Sequence, residues 1–160
     1  MSNANATEQL PVFSIEKLYL KDLSLEIPNA PQCFLEREPA TIDVQLQTAG
    51  NSIGEDAFDV VLTVTVTARV GEKTCFLVEA AQAGIFIIRG VPPEEMDPVL
   101  AVACPNILFP YARETISDCV TRAGFPPVIL APVNFEALYS QGQQGSIPAP
   151  STPEGEPTLQ

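Results

Sequence analysis

Hydrophobic and polar residues alternate most regularly between Ala57 and Val70. From Phe58 onward every second residue is apolar, and most of the residues between them are threonine, aspartate or arginine. A repeat of two is typical of a β-strand with one buried face, and at about 3.3 Å per residue this strand would be roughly 46 Å long. Gly71 predicts a tight turn, after which a second long strand runs to about Ile88. The centre of the chain therefore predicts a long β-hairpin.

The length of the hairpin loop decides which residues of the second strand are buried. A two-residue loop at 71–72 would place Leu77 and Glu79 on the buried face. A three-residue loop at 71–73 would bury the alternate set instead, which consists of Phe76, Val78 and Ala80. Because burial of an unpaired carboxylate is costly, the three-residue loop is favoured. We therefore expect Leu77 and Glu79 to face outward.

Two further strands precede the hairpin. Residues 13–27 alternate in two phases, which indicates a bend or bulge within one strand. Residues 41–48 alternate cleanly, and the polar residues 50–56 are predicted to form the turn before the hairpin.

After Gly90 the apolar spacing becomes helical. A helix is predicted to start at 92–96, and the main helix is predicted from Asn106 to a stop at Gly124. Pro110 must lie in its first turn or cause a kink. A proline-rich extended connection follows, and a short helix capped by Asn134 is expected to run through Tyr139. The fold class is α+β, with a four-stranded antiparallel sheet, a long hairpin and the helices packed on one face.

The two ends of the chain differ from its centre in composition. Residues 1–10 are polar, and residues 141–160 are rich in glycine and proline with few apolar residues. Such segments bury too little apolar surface to offset the entropy lost on ordering. We expect two disordered ends around a single domain at 11–140.

The charge and composition exclude several classes of function. A formal net charge of −12 argues against nucleic-acid binding, which needs a basic surface. The chain has no histidine and no nucleotide-binding loop, so we expect neither an enzyme nor a cofactor. Residues 1–10 do not resemble a signal peptide, and no apolar run reaches about 20 residues, so a cytoplasmic location without membrane insertion is expected.

The cysteines are few and irregularly spaced. They are Cys33, Cys75, Cys104 and Cys119. No pair forms C-x-x-C, so we expect reduced, buried thiols and no metal, with a four-cysteine zinc site as the alternative.

Three surfaces have both an ordinary and a functional interpretation. Asp22, Ser24 and Glu26 share a strand face that would also carry Glu79. This face is either merely solvated or docks a basic partner.

The helix at 107–120 and the long hairpin offer more apolar surface than one helix covers, so part of it is expected to pack against another subunit. The aromatic residues either belong to the core or line a groove for an extended peptide. They are Phe13, Phe58, Phe76, Phe86, Phe109, Tyr111, Phe125, Phe135 and Tyr139.

The segment CPNILFPYARE at 104–114 closely resembles a hallmark of the SecB protein-export chaperone family. Three other stretches agree with that family in order and spacing. They are 20–26 with 28–31, 64–68 and 130–135. The resemblance covers residues 11–140, and four collinear motifs make coincidence very improbable.

This resemblance implies a cytoplasmic homotetramer, built as a dimer of dimers, that binds unfolded precursor proteins without ATP and delivers them to SecA. The runner-up is a SecB-like holdase dedicated to a toxin–antitoxin or other non-export client. A small-ligand-binding β protein is the alternative from a different class.

The resemblance also implies roles for individual residues. The positions that match SecA-binding positions of the family are Asp22, Glu26, Leu77 and Glu79. Those that match positions tied to tetramer integrity and client binding are Val78, Ala80 and Gln82. Tyr139 lies where the family has an aromatic residue of the client groove. Because the acidic positions are retained, the export function is favoured over the dedicated holdase.

Overall fold

The computed structural model describes residues 10–142, which form one antiparallel sheet followed by a helical layer. The strands are β1 (Val12–Glu26), β2 (Thr41–Gly54), β3 (Ala57–Val70) and β4 (Lys73–Arg89). The helices are α1 (Pro93–Pro98), α2 (Cys104–Arg122) and α3 (Phe135–Ser140). This arrangement confirms the predicted α+β fold. The predictions of disorder at 1–10 and 141–160 fall almost entirely outside the described residues.

The strand order in the sheet is β1-β4-β3-β2. β1 and β2 therefore lie at opposite edges, and the segment between them must cross from one edge to the other. This crossing segment, residues 27–40, contains a 3₁₀ turn at Gln32–Leu35. The side-chain amide of Asn29 donates a hydrogen bond of 2.8 Å to the carbonyl oxygen of Thr74, which attaches the segment to the start of β4.

The hairpin has a two-residue loop, because Val70 pairs with Lys73. The predicted three-residue loop is therefore wrong. The predicted burial is nevertheless confirmed, since Val78 lies opposite Val66 and is fully buried. A β-bulge explains both results: the register shifts between Ala68 and Arg69, so that Cys75 is an extra residue on β4. With one extra residue, the side chains of β4 that the short loop alone would turn toward solvent face the core instead.

Two other strand predictions can be compared with the structure. β1 contains two register shifts against β4, which confirms the predicted irregularity of this strand. The predicted turn at 50–56 is wrong, because β2 continues to Gly54 and the chain reverses at Glu55–Asp56. β3 is long enough to pair with the backbone of these polar residues, and on an edge strand their side chains remain solvated.

The core lies between α2 and the apolar face of the hairpin. Val60, Leu62, Val64 and Val66 of β3 are fully buried. The side of α2 that packs on them repeats every four residues, as a helix face requires. It consists of Leu108, Ala112, Ile116 and Val120, none of which is exposed.

The helical layer is nearly continuous from α1 to α2. A π-turn at Val99–Ala103 joins the two helices, and the backbone N–H of Cys104 donates to the carbonyl oxygen of Val99. α2 starts two residues before the predicted Asn106, with Pro105 in its first turn and Pro110 in its interior. The short final helix is capped as predicted, because the side chain of Asn134 accepts a hydrogen bond of 3.0 Å from Ala137 N–H.

Gly84 allows the ring of Phe86 to lie directly over β4. A Cβ atom at Gly84 would be 2.8 Å from Cε2 of Phe86 and 3.1 Å from Cδ2 of Leu18. Phe86 is fully buried, and its ring centroid is 5.6 Å from that of Phe13. Since the ring cannot move outward, any side chain at this position must displace core atoms.

We expect Gly84→Ala to lower the free energy of unfolding by about 1–3 kcal/mol, the usual cost of overpacking a core. Urea denaturation followed by circular dichroism measures this change. Gly54→Ala is the matched control, since a Cβ there would meet only Ala57 Cβ, at 3.9 Å. An equal loss in both variants would contradict the steric explanation.

Candidate functional site

The four residues matched to SecA-binding positions lie together on the sheet face that points away from the helices. In the register of β1 against β4, Glu26 lies opposite Leu77, and Asp22 lies opposite Ala81. Ser24, between the two acidic residues, lies opposite Glu79. Directly opposed residues share a face of the sheet, so their side chains form one patch. We call Asp22, Ser24, Glu26, Leu77 and Glu79 the acidic surface.

The acidic surface carries uncompensated negative charge. Asp22 and Glu26 are exposed, whereas Leu77 and Glu79 are half-buried. Three ion pairs occur within residues 10–142, and none of them involves a carboxylate of this surface. The patch therefore combines free acidic groups with one apolar side chain, which suits a basic segment that also carries an apolar residue.

Glu79 is held in position by the neighbouring strand. Thr65 lies opposite it on β3, and Thr65 Oγ1 donates a hydrogen bond of 3.0 Å to Glu79 Oε2. A carboxylate that accepts this bond keeps its other oxygen for a partner. Thr65 of β3 thus orients the central acid of the patch.

A second polar cluster borders the acidic surface. Tyr19 donates a hydrogen bond of 2.7 Å to Oδ1 of Asp59, and Lys21 Nζ lies 3.8 Å from Oδ2 of the same carboxylate. The hydrogen bond to Asp59, together with burial, raises the pKa of Tyr19. Asp59 is thus already paired, and it does not extend the uncompensated patch.

Val78, Ala80 and Gln82 lie in the opposite phase of β4. The structure places all three against the helical layer, with Val78 and Ala80 fully buried and Gln82 only 5% exposed. Within one protomer these side chains belong to the interior, so substitutions there act first on the packing of α2 against the sheet. The two phases of β4 therefore separate an outward acidic surface from an inward apolar one.

A groove of about 990 Å³ runs along edge strand β2. Tyr139 and Leu138 of α3 line it together with Leu100 of the π-turn. Polar residues of the sheet complete the lining, among them Gln45, Gln47, Thr63, Thr65 and Glu79, the last of which also belongs to the acidic surface. The predicted groove residue Tyr139 is thus half-buried beside an edge strand, where an extended peptide could also reach backbone groups.

Three of the other aromatic residues proposed for a peptide groove belong to the core. Phe76, Phe86 and Phe109 are at most 5% exposed and do not line the groove, so for these residues the groove interpretation is wrong. Phe135 is also buried, but it lines the groove beside Tyr139. Phe34, which is 46% exposed in the crossing segment, was not among the predicted residues. Its ring stacks on Phe125, at 4.9 Å between centroids. Phe34 lies between prolines in a segment without hydrophobic periodicity, so the sequence did not indicate its contact with Phe125.

The helical layer leaves one strand of the sheet uncovered. α2 packs on β3 and β4, and four apolar side chains of edge strand β1 on that same face remain exposed. We call this set the β1 stripe. Its members are Phe13, Ile15, Leu20 and Leu23, each 41–46% exposed. The predicted surplus of apolar surface exists, but it lies on β1 and not on the hairpin.

The structure offers little for metal or membrane chemistry. Residues 10–142 contain no group of three or more cysteine or acidic side chains arranged to hold a metal ion. In the same range no helix is long and apolar enough to span a bilayer. Cys75 and Cys104 are buried as predicted, whereas Cys33 and Cys119 are half-buried. Burial raises the pKa of the Cys104 thiol to about 12.

Comparisons with known proteins agree with the motifs. Residues 6–146 match the family described as preprotein translocase subunit SecB. The chain is 61% identical over 141 residues to the protein-export protein SecB of Dechloromonas aromatica, covering 88% of this chain and 93% of that protein. It is 66% identical over 134 residues to the protein of the same name from Chromobacterium violaceum, covering 84% and 89%.

A solved structure shows the same fold at greater distance. It is the SecB-like chaperone Rv1957 of Mycobacterium tuberculosis, in complex with a peptide from the HigA1 antitoxin. The TM-score is 0.64 at 20% identity, over 76% of this chain and 90% of that one. Together with the family match and the relatives above 60% identity, the shared fold leads to one conclusion: the chain belongs to the SecB family of preprotein translocase subunits.

Proposed function

We propose that this chain is an ATP-independent cytoplasmic chaperone that binds unfolded precursor proteins, keeps them competent for export and delivers them to SecA. The observation that carries this proposal is the acidic surface. It holds Leu77 and three carboxylates without an ion pair within residues 10–142, all on one sheet face of a chain whose relatives are called protein-export proteins.

The charge distribution favours a basic docking partner. Asp22, Glu26 and Glu79 lie on adjacent strands, so a short cationic segment could reach all three at once. Exposed ion pairs contribute only about 0.2–1 kcal/mol each, so such docking is weak, reversible and salt-dependent. These are useful properties for a handover that is not driven by ATP. Electrostatic attraction also speeds the encounter.

The groove along β2 supports client binding. An unfolded chain presents apolar side chains and free backbone groups, and an edge strand beside Leu138 and Tyr139 can contact both. Main-chain hydrogen bonds depend little on sequence, so one groove could hold many different clients. Glu79 lines the groove and also belongs to the acidic surface, whereas Asp22 and Glu26 lie outside the groove, so the two sites meet at one residue.

The β1 stripe supports assembly into a homotetramer. An edge strand with exposed apolar side chains favours pairing with another chain. A second copy could cover the β1 stripe, and the outer side of α2 offers a further contact through Tyr111, which is 45% exposed. Several grooves in one assembly would bind a long client with higher avidity than a single groove.

The dedicated holdase is the less favoured alternative. The neighbour bound to an antitoxin peptide shares only 20% of its residues with this chain, whereas relatives named for protein export share 57–66%. Retention of the acidic surface favours the export role.

Charge reversal at the acidic surface tests delivery. We expect the triple variant Asp22→Lys, Glu26→Lys, Glu79→Lys to bind the zinc-loaded C-terminal segment of SecA at least about tenfold more weakly, since it replaces three attractions with repulsions. Affinity for a permanently unfolded, carboxymethylated protein should stay within about twofold, because Asp22 and Glu26 lie outside the groove and Glu79 is only one of its lining residues. Calorimetric titration measures both.

The matched control reverses three exposed acids elsewhere, in the variant Glu94→Lys, Glu95→Lys, Glu114→Lys. It has the same net charge and should bind SecA like the unmodified chain. Equal loss of SecA and client binding in the first variant, or equal loss of SecA binding in both variants, would refute a localised docking site.

The Thr65–Glu79 hydrogen bond offers a finer test of the same surface. Thr65→Val keeps the side-chain shape and removes the donor, which should weaken SecA binding about fivefold, the equivalent of one hydrogen bond of about 1 kcal/mol. Thr67→Val is the control, since Thr67 shares the face and no side-chain hydrogen bond from it is found within residues 10–142. A similar effect of both substitutions would indicate a general change of the sheet.

The β1 stripe should determine the oligomeric state. We expect Ile15→Lys combined with Leu23→Lys to lower the mass measured by sedimentation equilibrium from tetramer to smaller species, because two buried cations would lack partners. The control, Ile53→Lys combined with Ile129→Lys, changes two exposed apolar residues outside β1 and should remain tetrameric. A tetramer that persists in the first variant would place the interface elsewhere.

A further inference from the structure

Two cysteines that are far apart in the chain line one small cleft. Cys33 lies in the 3₁₀ turn of the crossing segment, and Cys75 lies at the bulge of β4. The cleft has a volume of about 210 Å³. Its remaining lining residues are Asn29, Gln32, Glu36, Val70, Lys73 and Thr74. We call it the cysteine cleft.

Two hydrogen bonds through Asn29 connect the segments that carry the two cysteines. The N–H of Cys33 donates a hydrogen bond of 2.8 Å to the carbonyl oxygen of Asn29, and the Asn29 side chain donates to the carbonyl oxygen of Thr74, next to Cys75. Cys75 has no partner in the register with β3, because it is the extra residue of the bulge. Burial raises the pKa of Cys75, and the neighbouring Cys33 thiol raises it further, in keeping with their proximity.

We propose that Cys33 and Cys75 form a dithiol that a hydroperoxide converts into an intramolecular disulfide. Cys33 is the more exposed thiol and reacts first. Its sulfur attacks the peroxide, so that Cys33–SH and ROOH give Cys33–SOH and ROH. The sulfur of Cys75 then attacks Cys33 and releases water, which forms the S–S bond. The peroxide gains the two electrons that the two thiols lose.

Other chemistry fits these residues less well. The cysteine cleft contains two thiols and one acid, Glu36, and no group of three potential ligands in residues 10–142 is arranged for a metal ion. The other cysteines form no comparable pair. Cys104 is fully buried with a strongly raised pKa, and Cys119 lies on α2 outside the cleft.

The disulfide would tie the crossing segment to the start of β4. That segment carries Phe34, whose ring stacks on Phe125, and Leu35, which is 81% exposed. A covalent link beside these residues would restrict any opening of the segment away from the sheet. This inference does not depend on the proposed role in export, since it concerns the thiols alone.

The test uses the full chain, reduced and then treated with hydrogen peroxide. Remaining thiols are alkylated under denaturing conditions, and the digest is analysed by mass spectrometry without reduction. We expect two thiols per chain to be lost, a linked pair of peptides containing Cys33 and Cys75, and full reversal by dithiothreitol. Cys33→Ser should abolish the linked peptide, whereas Cys119→Ser should leave it unchanged.

Three results would overturn the proposal. The first is a sulfinic acid at Cys33 without a linked pair of peptides. The second is the formation of disulfides only between chains. The third is the loss of two thiols per chain in Cys33→Ser as well. Thermal unfolding provides a second measurement that needs no substitution at the buried Cys75. The midpoint should rise on oxidation and return on reduction, and Cys33→Ser should show no rise.

Discussion

The packing of α2 on the long hairpin is the contact on which the rest of this structure depends. The apolar faces of β3 and β4 are fully buried against the helix row that contains Leu108, Ala112 and Ile116. A single helix is about 10 Å wide, whereas the two outermost axes of four strands lie roughly 14 Å apart. The helical layer therefore covers the central strands and leaves the β1 stripe open. The same geometry leaves the other face of the sheet free of helices.

This arrangement lets one strand serve two surfaces. Successive residues of β4 point to opposite faces, so Val78 and Ala80 pack under α2 while Leu77 and Glu79 belong to the acidic surface. Docking and folding thus use different atoms of the same strand. A substitution at the acidic surface removes little buried apolar area, whereas a substitution at Val78 or Ala80 alters the core.

The bulge at Cys75 determines which residues of β4 face the helices and which face the acidic surface. Without this extra residue, the two-residue loop would turn Glu79 toward the helices and Val78 toward solvent. The same residue, left unpaired by the bulge, contributes a thiol to the cysteine cleft. One local irregularity therefore sets the orientation of the acidic surface and creates the nearby cleft.

The sequence by itself determined the strands, the helices and the long hairpin, because these depend on local periodicity. It also determined the inward set with Val78, because burial of Glu79 would be costly, and it contained the family motifs. The extension of β2 to Gly54, the bulge at Cys75 and the β1 stripe were decided only by the tertiary structure. Pairing with β3 overrides the weak strand preference of residues 50–54, and the width of α2 determines which apolar strand stays exposed. The contacts of Phe34 and Cys33 likewise join segments far apart in the chain, and no local pattern encodes such a meeting.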